Sequence, residues 1–132
     1  MTGETSIHTL LSGMSPHLNE GRYVFCTVQD PKRVNDLEVI GSFREAEGLT
    51  VIVPLAQARK AGLAFEYTAA WITLNIHSAL EAVGLTAAFA TALGNAGISC
   101  NVVAAYYHDH IFVGEADAAE AMQVLWKLAG KA

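Results

Sequence analysis

The sequence predicts an α+β fold built from two small halves, each with an antiparallel sheet that carries helices on one face. Runs of β-forming residues bounded by turn signals recur along the chain, and residues 22–28 and 70–77 are clear examples. Residues 85–95 and 116–129 instead repeat apolar side chains at the spacing of one helix face. The chain has 132 residues, 52% of them hydrophobic and 16% charged, which is enough for one compact domain or two fused small ones.

The first half, residues 1–68, begins with a predicted helix. Its apolar stripe consists of four residues spaced by helical turns: Ile7, Leu10, Leu11 and Met14. Pro16 should end this helix, because proline disfavours the helical conformation of the residue before it. A charged turn is predicted at residues 44–48. The other predicted elements of this half are strands at residues 22–28, 37–43, 49–53 and 63–67, and a short helix at residues 55–61.

The second half, residues 69–132, has the predicted order strand, helix, strand, strand, helix. These elements cover residues 70–77, 85–95, 98–105, 111–113 and 116–129. Alternation in the first strand places one polar and aromatic set on one face of the sheet: Trp71, Thr73, Asn75 and His77. The order of elements is that of a ferredoxin-like unit that lacks its last strand, so we expect strands to be shared between the halves.

The stretch GLTAAFATALGNAGISCNVVAAYYHDHIFV, from Gly84 to Val113, resembles the core of an ACT domain, a regulatory module of many amino-acid biosynthetic enzymes. In that family a strand leads through a glycine-containing loop into a helix, and a turn of the AGI type leads into the next strand. The corresponding residues here are Val83-Gly84-Leu85 and Ala96-Gly97-Ile98. The whole chain, with LLSGMSPHLNEGRYVFC and FREAEGLTVIV in its first half, resembles small stand-alone bacterial proteins of ACT-like type. The resemblance implies tandem ACT-like halves and, because ACT-like sheets commonly extend across subunits, a homodimer.

The start of the predicted helix at Gly84 is the candidate ligand site. Backbone N–H groups of Gly84, Leu85 and Thr86 would face a carboxylate at the positive end of the helix dipole. The alternative is that Gly84 only makes a turn and water occupies these amides. The ACT resemblance adds Asn101 as acceptor for an α-amino group, although Asn101 would otherwise fix a local turn or bulge. The predicted ligand-binding residues are Val83, Gly84, Leu85, Asn101, His108 and Asp109.

Two further sets of polar residues invite other interpretations. If the chain were extended around Asp109, His108 and His110 would share a face and bind a metal with a third ligand such as His77. A hairpin turn, with Asp109 bonded to backbone N–H groups, is the simpler interpretation, so we predict no metal and no catalytic residue. Arg44 and Glu45 are alternative ligand contacts in a turn that is otherwise solvated.

Charge and motif content restrict the classes of partner. The net charge is −5, with eight Lys and Arg and no basic cluster, which argues against nucleic acid and against an anionic membrane surface. The N-terminus has no signal-peptide pattern, and no apolar run approaches 18 residues. Cys26 and Cys100 lie in predicted strands, which favours buried free thiols in a reducing cytoplasm. No phosphate-binding or dinucleotide-binding glycine pattern occurs, so no cofactor is predicted.

The ACT resemblance therefore implies a cytoplasmic, non-catalytic regulatory protein that binds a small molecule, an amino acid by analogy with the family. Two alternatives belong to other classes. One is a small enzyme or metal-binding protein that uses the His108-Asp109-His110 cluster. The other is a purely structural module whose function is its own oligomerisation.

Overall fold

The fold was analysed in a computed structural model, which describes residues 9–75 and 84–131. The strands and α-helices, in chain order, are β1 (Ser15–Leu18), β2 (Tyr23–Val28), β3 (Gly41–Glu45), β4 (Gly48–Pro54), α1 (Leu55–Ala61), β5 (Thr68–Asn75), α2 (Leu85–Asn95), β6 (Cys100–Ala104), β7 (Asp109–Gly114) and α3 (Ala118–Leu128). Residues 9–12 are also helical, and 3-10 turns occur at Pro31–Val34 and Glu115–Asp117.

The chain forms two compact units that differ from the two predicted halves in one respect. One unit comprises Glu20–Ala69, and the other comprises Ala70 onwards together with the segment that ends at Asn19. The later unit therefore takes its first residues from the start of the chain. The division of the chain into residues 1–68 and 69–132 remains a prediction. It follows the order of the sequence, whereas the two compact units are defined by packing.

The unit of residues 20–69 is a four-stranded antiparallel sheet in the order β3-β4-β2-β5. β2 pairs with β4 along its whole length, and its first two residues also pair with Thr68 and Ala69 of β5. α1 ends at Gly62, whose left-handed conformation (φ 71°) lets its N–H bond the carbonyls of the last turn. The core alternates along the strands because successive side chains point to opposite faces; its members are Val24, Cys26, Val28, Val34, Val51, Val53, Leu55, Ala58 and Leu63.

The later unit has a sheet in the order β1-β5-β7-β6. β1 runs antiparallel to β5, with Ser15 opposite Asn75 and Leu18 opposite Ile72. Helices α2 and α3 pack on one side, where Phe89 and Leu125 have no exposed surface. The core comprises Leu11, Met14, Ala70, Ile72, Leu74, Leu85, Phe89, Leu93, Ile98, Ile111, Val113, Ala121, Leu125 and Ala129.

The two units share one topology. Numbered from their own first strand, β2 and β5 respectively, both have the order 4-1-3-2. In the later unit β1 supplies the fourth strand that the sequence pattern lacked. The predicted α+β, ferredoxin-like fold with antiparallel sheets and helices is confirmed.

Several local predictions differ from the structure, and one of them is the strand predicted at residues 37–43, which runs from Gly41 to Glu45. Residues 63–67 form no strand, although Leu63 and Phe65 alternate towards the core as the residues of a strand would. β1 was not predicted, because it contains Pro16; proline is tolerated there since β1 pairs with β5 alone. The predicted charged turn at residues 44–48 is shorter, because Arg44 and Glu45 extend β3 and only two residues connect it to β4.

Candidate functional site

Helix α2 begins at Gly84, as the sequence predicted. Gly84 adopts a left-handed conformation (φ 88°, ψ −11°) that favours glycine, and as the N-cap residue it has no side chain to cap the helix. Its carbonyl accepts the Ala88 N–H at 2.9 Å, so the hydrogen-bond ladder starts here. Leu85 is 4% exposed and anchors the first turn in the core. The first turn thus has backbone donors that Gly84 itself does not cap, at the positive end of the helix dipole. Val83 lies outside the described residues.

The Gly84 end of the unit is also the end at which β7 begins. The Trp71 ring contacts those of His110 and Phe112, and Thr73 bonds His110, so the end of β5 lies beside the start of β7. α2 ends near the opposite end of the sheet, where β6 begins. Eleven residues of helix span about 16 Å, which carries the start of α2 back towards the Asp109 end. Gly84, Leu85, His108 and Asp109 therefore lie towards one end of this unit.

Asn101 lies elsewhere in the same unit. It is exposed, and in the regular β6–β7 pairing it is opposite Phe112, with no turn or bulge. Its neighbours Cys100 and Val102 pack against the helix-side core, so Asn101 faces away from α2. It is also three residues, about 10 Å, from the end of β6 that adjoins the His108 turn. Within one chain, the structure does not bring Asn101 to Gly84.

A hydrogen-bond network that the sequence did not predict lies on the same sheet face as Asn101. Nδ1 of His110 accepts the Trp71 Nε1–H at 3.0 Å and lies 3.1 Å from the Thr73 hydroxyl oxygen. The Asn19 amide donates in turn to the Thr73 hydroxyl at 2.9 Å and to the Trp71 carbonyl at 3.2 Å. Because Nδ1 accepts a hydrogen bond, neutral His110 carries its proton on Nε2.

This environment favours the neutral form of His110. Burial lowers its pKa below the ordinary value, the neighbouring His108 lowers it further, and Asp109 acts in the opposite direction. Neutral His110 can thus serve as a hydrogen-bond donor through Nε2. The alternation of Trp71 and Thr73 was readable in the sequence, but their pairing with His110 depends on strand register.

The histidine cluster offers two imidazoles. The rings of His108 and His110 have centroids 6.4 Å apart and an interplanar angle of 79°. Nδ1 of His108 is buried and has no hydrogen-bond partner among the residues that the structure describes, and Asp109 is the first residue of β7, opposite Ala104. No three His, Cys, Asp or Glu side chains in residues 9–75 and 84–131 group closely enough to hold a metal ion. Two imidazoles fall short of the three protein ligands of a catalytic zinc site, and His77 lies outside the described residues.

The fold and the helix start define a tandem ferredoxin-like protein, and sequence comparison gives its family. Residues 2–70 match the profile of the ACT domain, and residues 66–127 match a second ACT-domain profile. The chain belongs to the ACT-domain family and carries two such domains in tandem. ACT domains are regulatory rather than catalytic modules that bind small molecules.

Solved structures agree with this family. A Vibrio cholerae protein of unknown function, described as a possible transport protein, is 50% identical, with 97% of this chain and 99% of that chain covered and a TM-score of 0.89. The regulatory subunit of Thermus thermophilus aspartate kinase, in ligand-free form, is 9% identical, with 86% and 97% covered and a TM-score of 0.67. An Agrobacterium tumefaciens protein is 15% identical, with 88% and 89% covered and a TM-score of 0.69.

At such low identity, the aspartate kinase and Agrobacterium structures show the shared fold alone. A search of curated proteins found no match. Among the helices of the described residues, none has the length and apolar character needed to cross a membrane.

Proposed function

We propose that this chain is a non-catalytic regulatory protein that binds an amino acid at the start of α2. The observation that carries the proposal is the left-handed Gly84 at the start of a helix, where it has no side chain to cap the first turn, in a chain with two ACT domains. The α-carboxylate would accept from the backbone N–H groups of Gly84 and Leu85, where the helix dipole favours negative charge. The aspartate kinase regulatory subunit with a similar fold supports a regulatory role.

The α-amino group of the ligand is a positively charged donor, so it needs a hydrogen-bond acceptor. The carboxylate of Asp109 and the ring of His108 lie towards the same end of the unit as Gly84, and we propose them as contacts. Asn101 faces away from α2, so its proposed contact with the ligand requires a second copy of the chain. The proposed assembly is a homodimer in which Asn101 of one copy completes the site of the other.

Two free cysteines support a reducing, cytoplasmic location. Cys26 and Cys100 form no disulfide, and burial raises the pKa of both thiols, which makes them poor nucleophiles. Neither thiol is therefore proposed as a catalytic group. In the cytoplasm, the protein would respond to the level of a free amino acid by a change in its own assembly or in that of a partner.

Calorimetric titration with each of the twenty standard amino acids tests this function. Gly84→Asn should abolish the heat of binding, because asparagine tolerates positive φ but its side chain occupies the donors of the first turn. Gly94→Ala is the matched control in the same helix: apart from its own helix neighbours, no described residue has an atom within 4 Å of an added Cβ there, so binding should persist. The absence of heat with all twenty amino acids would refute the proposal. Binding that survives Gly84→Asn would refute the location of the site.

A further inference from the structure

A row of side chains crosses the sheet of the later unit on the face away from α2 and α3. His17 lies opposite Thr73 in the β1–β5 pairing, and Val103 lies opposite His110 in the β6–β7 pairing. The Thr73 hydroxyl oxygen is 3.1 Å from Nδ1 of His110, so these side chains follow one another across four strands. His17 is exposed, whereas Thr73 and His110 are half-buried. Proton uptake at His110 therefore takes place within the row and not at its rim.

The Trp71 indole has a different favourable interaction with each charge state of His110. With neutral His110, its Nε1–H donates to Nδ1 at 3.0 Å. A proton on Nδ1 turns that nitrogen into a donor, so two N–H groups would face each other and this hydrogen bond is lost. The centroids of the two rings are 5.8 Å apart, within the distance at which a cation is attracted to the face of an indole. Protonation therefore favours a turned indole that presents its face to the imidazolium.

The neighbours of His110 in the described residues set the pH range of this change. His17 is the titratable group on β1, and it lies two strands, about 10 Å, away. β5 and β6 contribute uncharged side chains: Trp71, Thr73 and Val103. Burial and then His108 lower the pKa of His110 from its ordinary value of 6.5, and Asp109 raises it. The change in charge thus falls in mildly acidic solution.

A turned indole would alter the surface beside Asn101. The Trp71 ring stacks on that of Phe112, with centroids 6.2 Å apart and an interplanar angle of 18°. Phe112 lies opposite Asn101 in the β6–β7 pairing. Because directly opposite residues of antiparallel strands share a face, the three side chains form the next row on the same face of the sheet. The proposed homodimer uses Asn101, so it brings a second copy against this row.

We propose that His110 and Trp71 form a pH-operated switch, in which protonation of His110 turns the indole and weakens the association of two copies through the face that carries Asn101. The copies of a twofold dimer meet through the same patch, so two positive charges are added to one interface, where they repel each other. The proton and the second copy therefore oppose each other as linked binding events. In its assembly this inference rests on the proposed homodimer, whereas the turn of the indole takes place within one chain.

Tryptophan fluorescence tests the turn of the indole. The chain has two tryptophans, so Trp126→Phe leaves Trp71 as the emitter. Its emission should fall between about pH 8 and about pH 5, with a midpoint below 6.5, because a protonated imidazole in contact with an indole quenches its fluorescence. In Trp71→Phe, the emission of Trp126 should stay constant over the same range, which distinguishes the turn from unfolding.

Two histidine variants, each combined with Trp126→Phe, assign the titration. His110→Asn should abolish it, because the amide oxygen replaces Nδ1 as an acceptor and takes up no proton in this range. His17→Asn is the matched control: it removes a histidine from the same row but has no contact with the indole network, so the titration should persist.

Sedimentation equilibrium of the wild-type chain at about pH 7.5 and about pH 5 tests the assembly. The dimer Kd should be about tenfold higher at the lower pH, a usual size for the coupling between two linked binding events. In His110→Asn the Kd should be nearly the same at both pH values. This comparison separates the effect of His110 from the general loss of negative charge in acid.

The results distinguish the switch from the proposed homodimer. A fluorescence titration that is absent, that survives His110→Asn or that also appears for Trp126 overturns the switch. A normal titration with a dimer equally stable at both pH values overturns its link to assembly and leaves the homodimer standing. A chain that is monomeric at about pH 7.5 overturns the homodimer and this link together, while calorimetry still decides the ligand site.

Discussion

Replacing Trp71 by phenylalanine should lower the free energy of unfolding by about 1–2 kcal/mol. The substitution removes the Nε1–H that donates to Nδ1 of His110 at 3.0 Å, and a neutral hydrogen bond contributes about 1 kcal/mol. Thr73 stays within 3.1 Å of the same nitrogen, so His110 keeps a donor. Phenylalanine also preserves an aromatic ring against Phe112. Because its ring is smaller than that of tryptophan, it buries less apolar area, and this accounts for the rest of the predicted loss of stability.

Trp71→Phe should lower the free energy of unfolding by less at low pH than at neutral pH. Burial, and then the nearby His108, lower the pKa of His110, so the unfolded chain takes up this proton at a higher pH than the folded chain does. The contribution of His110 to stability is therefore complete above about pH 6.5 and is lost as the pH falls from there towards the lower folded-state pKa. Trp71→Phe removes the Nε1–H group, whose hydrogen bond to Nδ1 of His110 disfavours protonation of that nitrogen. Its effect should thus be larger at about pH 7.5 than at about pH 5.

Urea unfolding followed by circular dichroism at both pH values measures this difference. Trp126→Phe is the matched control, because the charged group over its ring is an ammonium, that of Lys131 at 6.0 Å, and not an imidazole. His110→Asn keeps an acceptor for Trp71 and cannot take up a proton, so it should reduce the pH dependence. Equal effects of Trp71→Phe at both pH values, with an unchanged slope in His110→Asn, would show that the assigned network is wrong.

Three other substitutions test the packing. Phe89→Ala should destabilise the protein by about 3–5 kcal/mol in denaturant titrations, because Phe89 is fully buried; a loss below about 1 kcal/mol would contradict that burial. Gly48→Ala should destabilise by about 1 kcal/mol or more, since its Cβ would lie 2.8 Å from the Thr27 hydroxyl at a φ of 155°. Gly94→Ala in α2 should instead be neutral or stabilising by up to about 1 kcal/mol, and thermal melts can compare the two glycines. Deleting residues 1–18 removes β1 and should abolish cooperative unfolding of the later unit; a sharp calorimetric transition with native enthalpy would contradict its role as the fourth strand.

Local patterns were sufficient to predict the elements of the later unit from β5 to α3, but not β1. Helix α2 has the bounds that its apolar spacing predicted, and Gly84 lies at its start because a residue without Cβ adopts positive φ at little cost. Alternation in β5 also assigned the faces correctly: Ile72 and Leu74 are fully buried on the helix side, and Trp71 and Thr73 face away from it. These features depend on the geometry of single elements, which the order of residues encodes directly.

Such local patterns could not predict which distant elements pair with one another. Pro16 argued against a strand, yet Ser15–Leu18 forms one, because β5 had an open edge that needed a partner. Arg44 and Glu45 were named as alternative ligand contacts in an otherwise solvated turn, whereas in the structure they extend β3 and line a pocket with Gln29 and Pro31. The neutral state of His110 depends on Trp71, thirty-nine positions earlier.

By itself, the sequence determined the helix of the later unit and its glycine start, the two-faced strand β5 and the ACT family. Tertiary structure alone decided that β1 completes the later sheet, that Asn101 faces away from Gly84, and that Arg44 lines a pocket. The physical reason is the range of the interactions. Periodicity and backbone preference act within a few residues, whereas strand partners and register follow from the burial of all apolar faces at once.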